Sequence, residues 1–106
     1  MMPMQMHLKK RIEIVLEAPG LRRLTDTLER LNVSGYTVLP AIAGNGRGGP
    51  WSEAGQVSDA ERMVCVICII DPAREDEIIG PVFDLVKRHI GLISVSEARV
   101  IRGERF

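Results

Sequence analysis

Met63-Val64-Cys65-Val66-Ile67-Cys68-Ile69-Ile70, followed at once by Asp71-Pro72, is the stretch on which the fold turns. Eight apolar residues are far too few to span a membrane, and a β-branched run of that length has the character of a buried strand. The pattern predicts a strand over 62–70, apolar on both faces and central in its sheet. Asp71-Pro72 suits the start of a helix, with Asp71 as N-cap, Pro72 at the first position and Glu75, Asp76 and Glu77 near the positive end of the dipole. Ile79, Val82, Phe83, Val86 and Ile90 are the apolar face expected of that helix, and Gly80-Pro81 predicts a kink or a late start within it. Lys87, Arg88 and His89 suit its C-terminal end and Gly91 its stop. Cys65 and Cys68 form a C-x-x-C, but residues three apart in a strand point to opposite faces, so the sulfurs cannot bridge without breaking it. No second such pair and no histidine pair completes a zinc site, so both thiols read as structural and no metal is expected.

Outward from this stretch the same periods recur. Residues 92–101 alternate as a last strand. Upstream, 9–17 reads as a first strand that Ala18-Pro19-Gly20 breaks. Leu21, Leu24, Leu28 and Leu31 follow as one stripe of an amphipathic helix, with Arg22, Arg23, Asp26, Glu29 and Arg30 on its wet side. A turn at 32–35 leads to a second strand over 36–43. The order β-α-β-β-α-β predicts an α+β fold of ferredoxin-like topology, a four-stranded antiparallel sheet with both helices on one face. Since the helices cover one face only and the 62–70 strand is apolar on both, the open face is expected to be covered by further copies of the chain.

The chain has 106 residues, enough for one core, and 14 basic side chains balance 14 acidic ones. That balance argues against a dedicated nucleic-acid binder. Residues 1–8 lack a continuous apolar region with a cleavage site and read as a flexible leader to a single domain over 9–106, in a cytoplasmic protein.

Gly44-Asn45-Gly46-Arg47-Gly48-Gly49 opens a stretch, 44–60, that has no periodicity and is long for a compact domain. It fits G-x-G-x-x-G, yet Pro50-Trp51-Ser52 does not open the helix that a dinucleotide site needs, and no G-x-x-x-x-G-K-[ST] occurs. Two readings stay open: a solvent loop whose glycines are turns, or an anion site in which backbone N–H groups and the planar fork of Arg47 hold phosphate or carboxylate. Trp51 either folds back onto its own domain or anchors a partner protein. Arg99, Arg102 and Arg105 are strand-end charges, or close on a phosphate at a neighbouring subunit's loop. His7, His89 and the serines form no nucleophilic constellation, so no catalytic residue is expected. An alternative is a small nucleotide-hydrolysing enzyme drawing on Asp59 and Glu61; another is a trimeric docking protein without ligand.

In element order, and in Ser34-Gly35-Tyr36-Thr37-Val38, Gly44-Asn45-Gly46-Arg47 and Ala98-Arg99-Val100-Ile101-Arg102, the chain resembles the PII signal-transduction family over about 9–104. The resemblance implies a non-enzymatic trimer that binds nucleotides between subunits. Val15 and Gly44, Asn45, Gly46 and Arg47 would come from one subunit, and Gly35, Tyr36, Thr37 and Arg102 from its neighbour. Segment 44–60 would be the effector loop. It carries no tyrosine, which removes the site of uridylylation known in some members. The turn before the last strand is short and lacks the family's phosphate-binding lysine, which points to ADP or AMP rather than ATP. Gly44 to Trp51 is most similar to carboxysome-associated, bicarbonate-related PII-like proteins. This implies bicarbonate held by Gly46 and Arg47, and a membrane bicarbonate transporter as a target met without membrane insertion.

Overall fold

The computed structural model describes residues 4–46, 49–52 and 62–102. Strand β1 (His7–Glu17) runs through a 3-10 turn (Ala18–Gly20) into helix α1 (Leu21–Arg30); β2 (Tyr36–Ala41), β3 (Ala43–Gly46), β4 (Gly49–Ser52) and β5 (Met63–Ile70) follow. A 3-10 turn (Pro72–Arg74), helix α2 (Glu75–Val86) and β6 (Gly91–Val100) complete the order. Four strands form an antiparallel sheet in the order β2-β5-β1-β6, and β3 and β4 form a separate two-stranded ribbon. The expected α+β, ferredoxin-like fold is the one observed, with β5 central as its composition requires.

Alternation assigns the two faces. Ile12, Ile14 and Leu16 of β1 and Val66, Cys68 and Ile70 of β5 are buried, and form one cluster with Leu24 and Leu28 of α1 and Ile78, Val82 and Val86 of α2. The other face carries Val15, Cys65, Ile67 and Ile69, with Leu39 and Leu92 at its flanks 45% and 66% exposed. In its middle the Arg11 guanidinium donates to Glu13 Oε2 at 2.7 Å, and the Cys65 thiol donates to Glu13 Oε1 at 3.6 Å. The two cysteines are free and on opposite faces, as a strand dictates.

Helix α1 ends where Asn32 enters the left-handed region (φ 57°) and the Val33 N–H returns to the Leu28 carbonyl at 3.0 Å, the 6→1 bond of a Schellman end. The Arg74 guanidinium then takes up the Leu31 and Asn32 carbonyls at 2.5 and 3.2 Å, which ties the two helices together.

Four expectations change in the structure. β1 starts at His7 and pairs with Val100, so His7 and Leu8 belong to the sheet rather than to a leader over 1–8: β6 is long enough to offer them partners. Asp71 does not cap α2, because its carboxylate takes a hydrogen bond from Lys9 and Pro72–Arg74 form a 3-10 turn ahead of the helix. The buried face of α2 is Ile78, Val82 and Val86, whereas Phe83 is 54% and Ile90 71% exposed. Finally, 44–46 and 49–52 are not irregular, since they pair as the β3–β4 ribbon.

Candidate ligand site

Val15 stands in a row that runs Leu92, Val15, Cys65, Leu39 across the sheet, on the face that the helices leave open. Thr37 lies on that same face, opposite Ile67, with Glu13 beyond it. Tyr36 is one residue earlier and therefore on the helix side. Its hydroxyl donates to Glu29 Oε1 of α1 at 2.7 Å, and this bond, followed by burial, raises the phenol above its ordinary range. Tyr36 thus offers the open face its backbone alone. Gly35 precedes β2, and a Cβ added there would meet nothing within 4 Å, so no packing inside the chain calls for glycine.

The second group of candidate residues lies past the opposite end of β2. Gly44 pairs with Trp51, Asn45 with Pro50 and Gly46 with Gly49. Gly49 has φ +92°, a backbone state that glycine adopts without strain. Arg47 lies outside the described residues, as do 53–60 of the expected effector loop. From Tyr36 to Ala41 the strand alone advances roughly 17 Å at its usual rise per residue, and the ribbon begins beyond that. Arg102 follows β6 two residues after Val100, whose partner is His7, at the end of the sheet far from the ribbon. One chain therefore brings Val15 near the side of the ribbon base, keeps Gly35, Tyr36 and Thr37 toward the other half, and leaves Arg102 at the far end. A small ligand cannot touch both groups of one chain.

A cavity of about 380 Å³ opens at the ribbon end, between the start of α1 and the ends of β2 and β5. Ala18, Pro19, Leu21, Pro40, Ala41, Met63 and Val64 make it apolar, with Arg62 at its side. The Ala18 N–H donates to the Arg62 carbonyl at 2.8 Å and holds that corner closed. Among the described residues, no candidate binding residue lines it. Among the same residues no three His, Cys, Asp or Glu side chains converge on a point where a metal could sit, and no helix is long and apolar enough to cross a membrane.

The sequence did not single out Glu17. Its carboxylate receives the Ile90 N–H at 3.3 Å and lies 2.9 Å from His89 Nδ1, and its own N–H donates to the Ile90 carbonyl at 3.1 Å. No local signal announces this contact, because its partners are more than seventy residues away along the chain.

Against known proteins, the family model for nitrogen regulatory protein P-II matches residues 9–105. The chain belongs to the PII family. CPII, a PII-like protein of Thiomonas intermedia K12 solved with ADP and bicarbonate, is 26% identical, with a TM-score of 0.76 over 98% of this chain and 99% of that one. The same protein solved with ADP, AMP and bicarbonate superposes with a TM-score of 0.80 at 24% identity, covering 98% of both chains. A PII-like signalling protein of Thermus thermophilus gives 0.78 at 23% identity over 97% of this chain and 99% of that one. No curated protein sequence matches.

Proposed function

We propose that this PII-family chain is a non-enzymatic signalling subunit that binds ADP or AMP, together with bicarbonate, in clefts between the subunits of a cytoplasmic homotrimer. The observation that carries this reading is the separation of its two candidate groups. Val15 and the Gly44–Gly46 backbone lie toward one end of the sheet, and Gly35, Thr37 and Arg102 toward the other. Copies arranged about a threefold axis can set one chain's ribbon base against the next chain's Thr37 and Arg102. The ligands in the CPII structures, ADP and bicarbonate at 26% identity, support the ligand class.

In this arrangement Gly44 and Gly46 admit the phosphates against the main chain, while Arg47 and Arg102 meet their charge. Bicarbonate sits at Gly46 and Arg47. Segment 44–60, with Trp51 as the docking anchor, reports occupancy to a membrane bicarbonate transporter and so regulates inorganic-carbon uptake.

The test is calorimetric titration with AMP and ADP, each with and without bicarbonate, on protein of known oligomeric mass. Saturable adenylate binding that bicarbonate alters is the expected result. Arg47→Ala should weaken that binding and leave the oligomer intact. Lost assembly with unchanged affinity would sink the site, and no binding of any adenylate would favour a docking protein without ligand. A bound nucleotide at a hundredfold excess over Kd should stabilise the fold by roughly 2.7 kcal/mol.

A further inference from the structure

Arg11 and Glu13 place two opposite charges in the middle of the open sheet face. Arg11 Nη1 donates to Glu13 Oε2 at 2.7 Å, and the two side chains are 36% and 35% exposed. The other carboxylate oxygen takes the Cys65 thiol at 3.6 Å. The hydrogen bond from Arg11 first, and then that from Cys65, hold the Glu13 carboxyl below its ordinary range, so the pair is ionised at neutral pH. Ser94 and Ser96 of β6 are the register partners of Glu13 and Arg11, both exposed, and Ile67 and Ile69 of β5 flank the pair on the other side. At this level the face is polar over β6 and β1 and apolar over β5.

On a wet surface such a pair contributes little, because both charges are already solvated and screened. Covered by another copy of the chain it loses that water, and each donor left without an acceptor becomes costly. A guanidinium has more N–H groups than one carboxylate oxygen can take, and within the described chain the acceptor of Arg11 is Glu13. A second copy brings what is missing. The pair carries both signs, so a neighbour's Glu13 can accept from Arg11 while that neighbour's own Arg11 donates onward.

We propose that Arg11 of each chain is completed by Glu13 of the next, a closed ring of alternating charge that fixes the register of the trimer and admits only chains carrying the same pair. This rests on the trimer of the reading above and on nothing about its ligand. Apolar residues such as Ile67 and Ile69 drive copies together without choosing among them. A charge set against its like excludes a related chain of the same fold that presents another pattern.

The experiment co-expresses two differently tagged chains and reads the composition of the rings by native mass spectrometry, with circular dichroism to show that each chain is folded. The exchanged variant, Arg11→Glu with Glu13→Arg, keeps an opposite pair and should assemble with itself. Beside the parent chain it sets like charges against each other at every junction of unlike chains. Mixed rings should then fall on the order of tenfold below the random proportion. Random mixing overturns the proposal, since a pair closed within its own chain does not distinguish its neighbours. Should the exchanged variant fail to assemble, the single variants decide. Arg11→Glu and Glu13→Arg each repel their own copies, and together they should form mixed rings several-fold above the random proportion. Equal preference for self and for the other variant overturns the proposal, as does a parent protein that runs as a monomer. Mass is read without nucleotide, so a parent trimer that binds no adenylate counts against the ligand reading alone.

Discussion

Cys68 faces the helices with 2% of its surface exposed, and that burial pushes its thiol up to about 11. In an unfolded chain the thiol ionises near about 8.5. Between those values the unfolded state releases a proton that the folded state keeps, so the folded state binds more protons and stability falls as pH rises. The contribution is whole below about pH 8.5 and is lost progressively toward 11, with a ceiling of about 3 kcal/mol. Cys65, raised by burial first and then by the charge of Glu13, adds in the same direction. Urea midpoints at about pH 8, 9.5 and 10.5, which run from below that window into its upper part, should therefore decline in the parent protein and decline less in Cys68→Val. Parallel profiles would show that Cys68 is not the source. The sequence made both thiols legible as structural because alternation in a strand is a local rule. It could not reveal Glu13 and Arg11 against Cys65, a pairing that exists only once β1 lies beside β5.

At the scale of elements, Gly80 inside α2 and Gly91 at the start of β6 stand in opposite surroundings. Gly80 lies exposed inside the helix, and an added Cβ meets nothing within 4 Å. Gly80→Ala should shift stability by less than about 0.5 kcal/mol, because the helix propensity of alanine is offset by the conflict of its Cβ with the Cδ of Pro81. Gly91, the first residue of β6, has backbone and side chain already inside the space a methyl would need, and Gly91→Ala should cost about 1–3 kcal/mol. Chemical denaturation with an unchanged m-value checks both; equal shifts would contradict the packing described. The existence of α2 was legible, as were Val82 and Val86 of its buried stripe, while Ile78 was missed and Phe83 and Ile90 turn out exposed. Ile78-Ile79 and Val82-Phe83 offer two adjacent stripes of the same period, and only packing against the sheet and α1 chooses between them. The ribbon escaped for a different reason. Gly44, Gly46 and Pro50 carry no alternating side chains, so their pairing is written in backbone hydrogen bonds that composition does not advertise.

For the molecule as a whole, the open face of the sheet is the dominant feature. Val15, Leu39, Cys65, Ile67, Ile69 and Leu92 cross it around the Arg11–Glu13 pair. In the proposed trimer this surface is shared among copies, and Ile67→Glu places a second carboxylate opposite Glu13. Light scattering should then report a smaller particle, while circular dichroism keeps the signature of the folded chain. A variant of unchanged mass would move the interface elsewhere. The fold and the family were legible from element order and three short motifs. The candidate site was legible only as a set of residues, because its two groups meet in no single chain and the partners of Glu17 lie more than seventy residues away.

The distance between those halves has a genetic consequence. A chain altered at Arg47 keeps a sound far end, and a chain altered at Thr37 keeps a sound ribbon. In the proposed trimer either variant alone would bind ligand poorly, yet mixed rings of the two would always contain a junction where the intact faces meet. Two impaired alleles would complement each other in one cell, and tight nucleotide binding would return in proportion to the mixed rings that form.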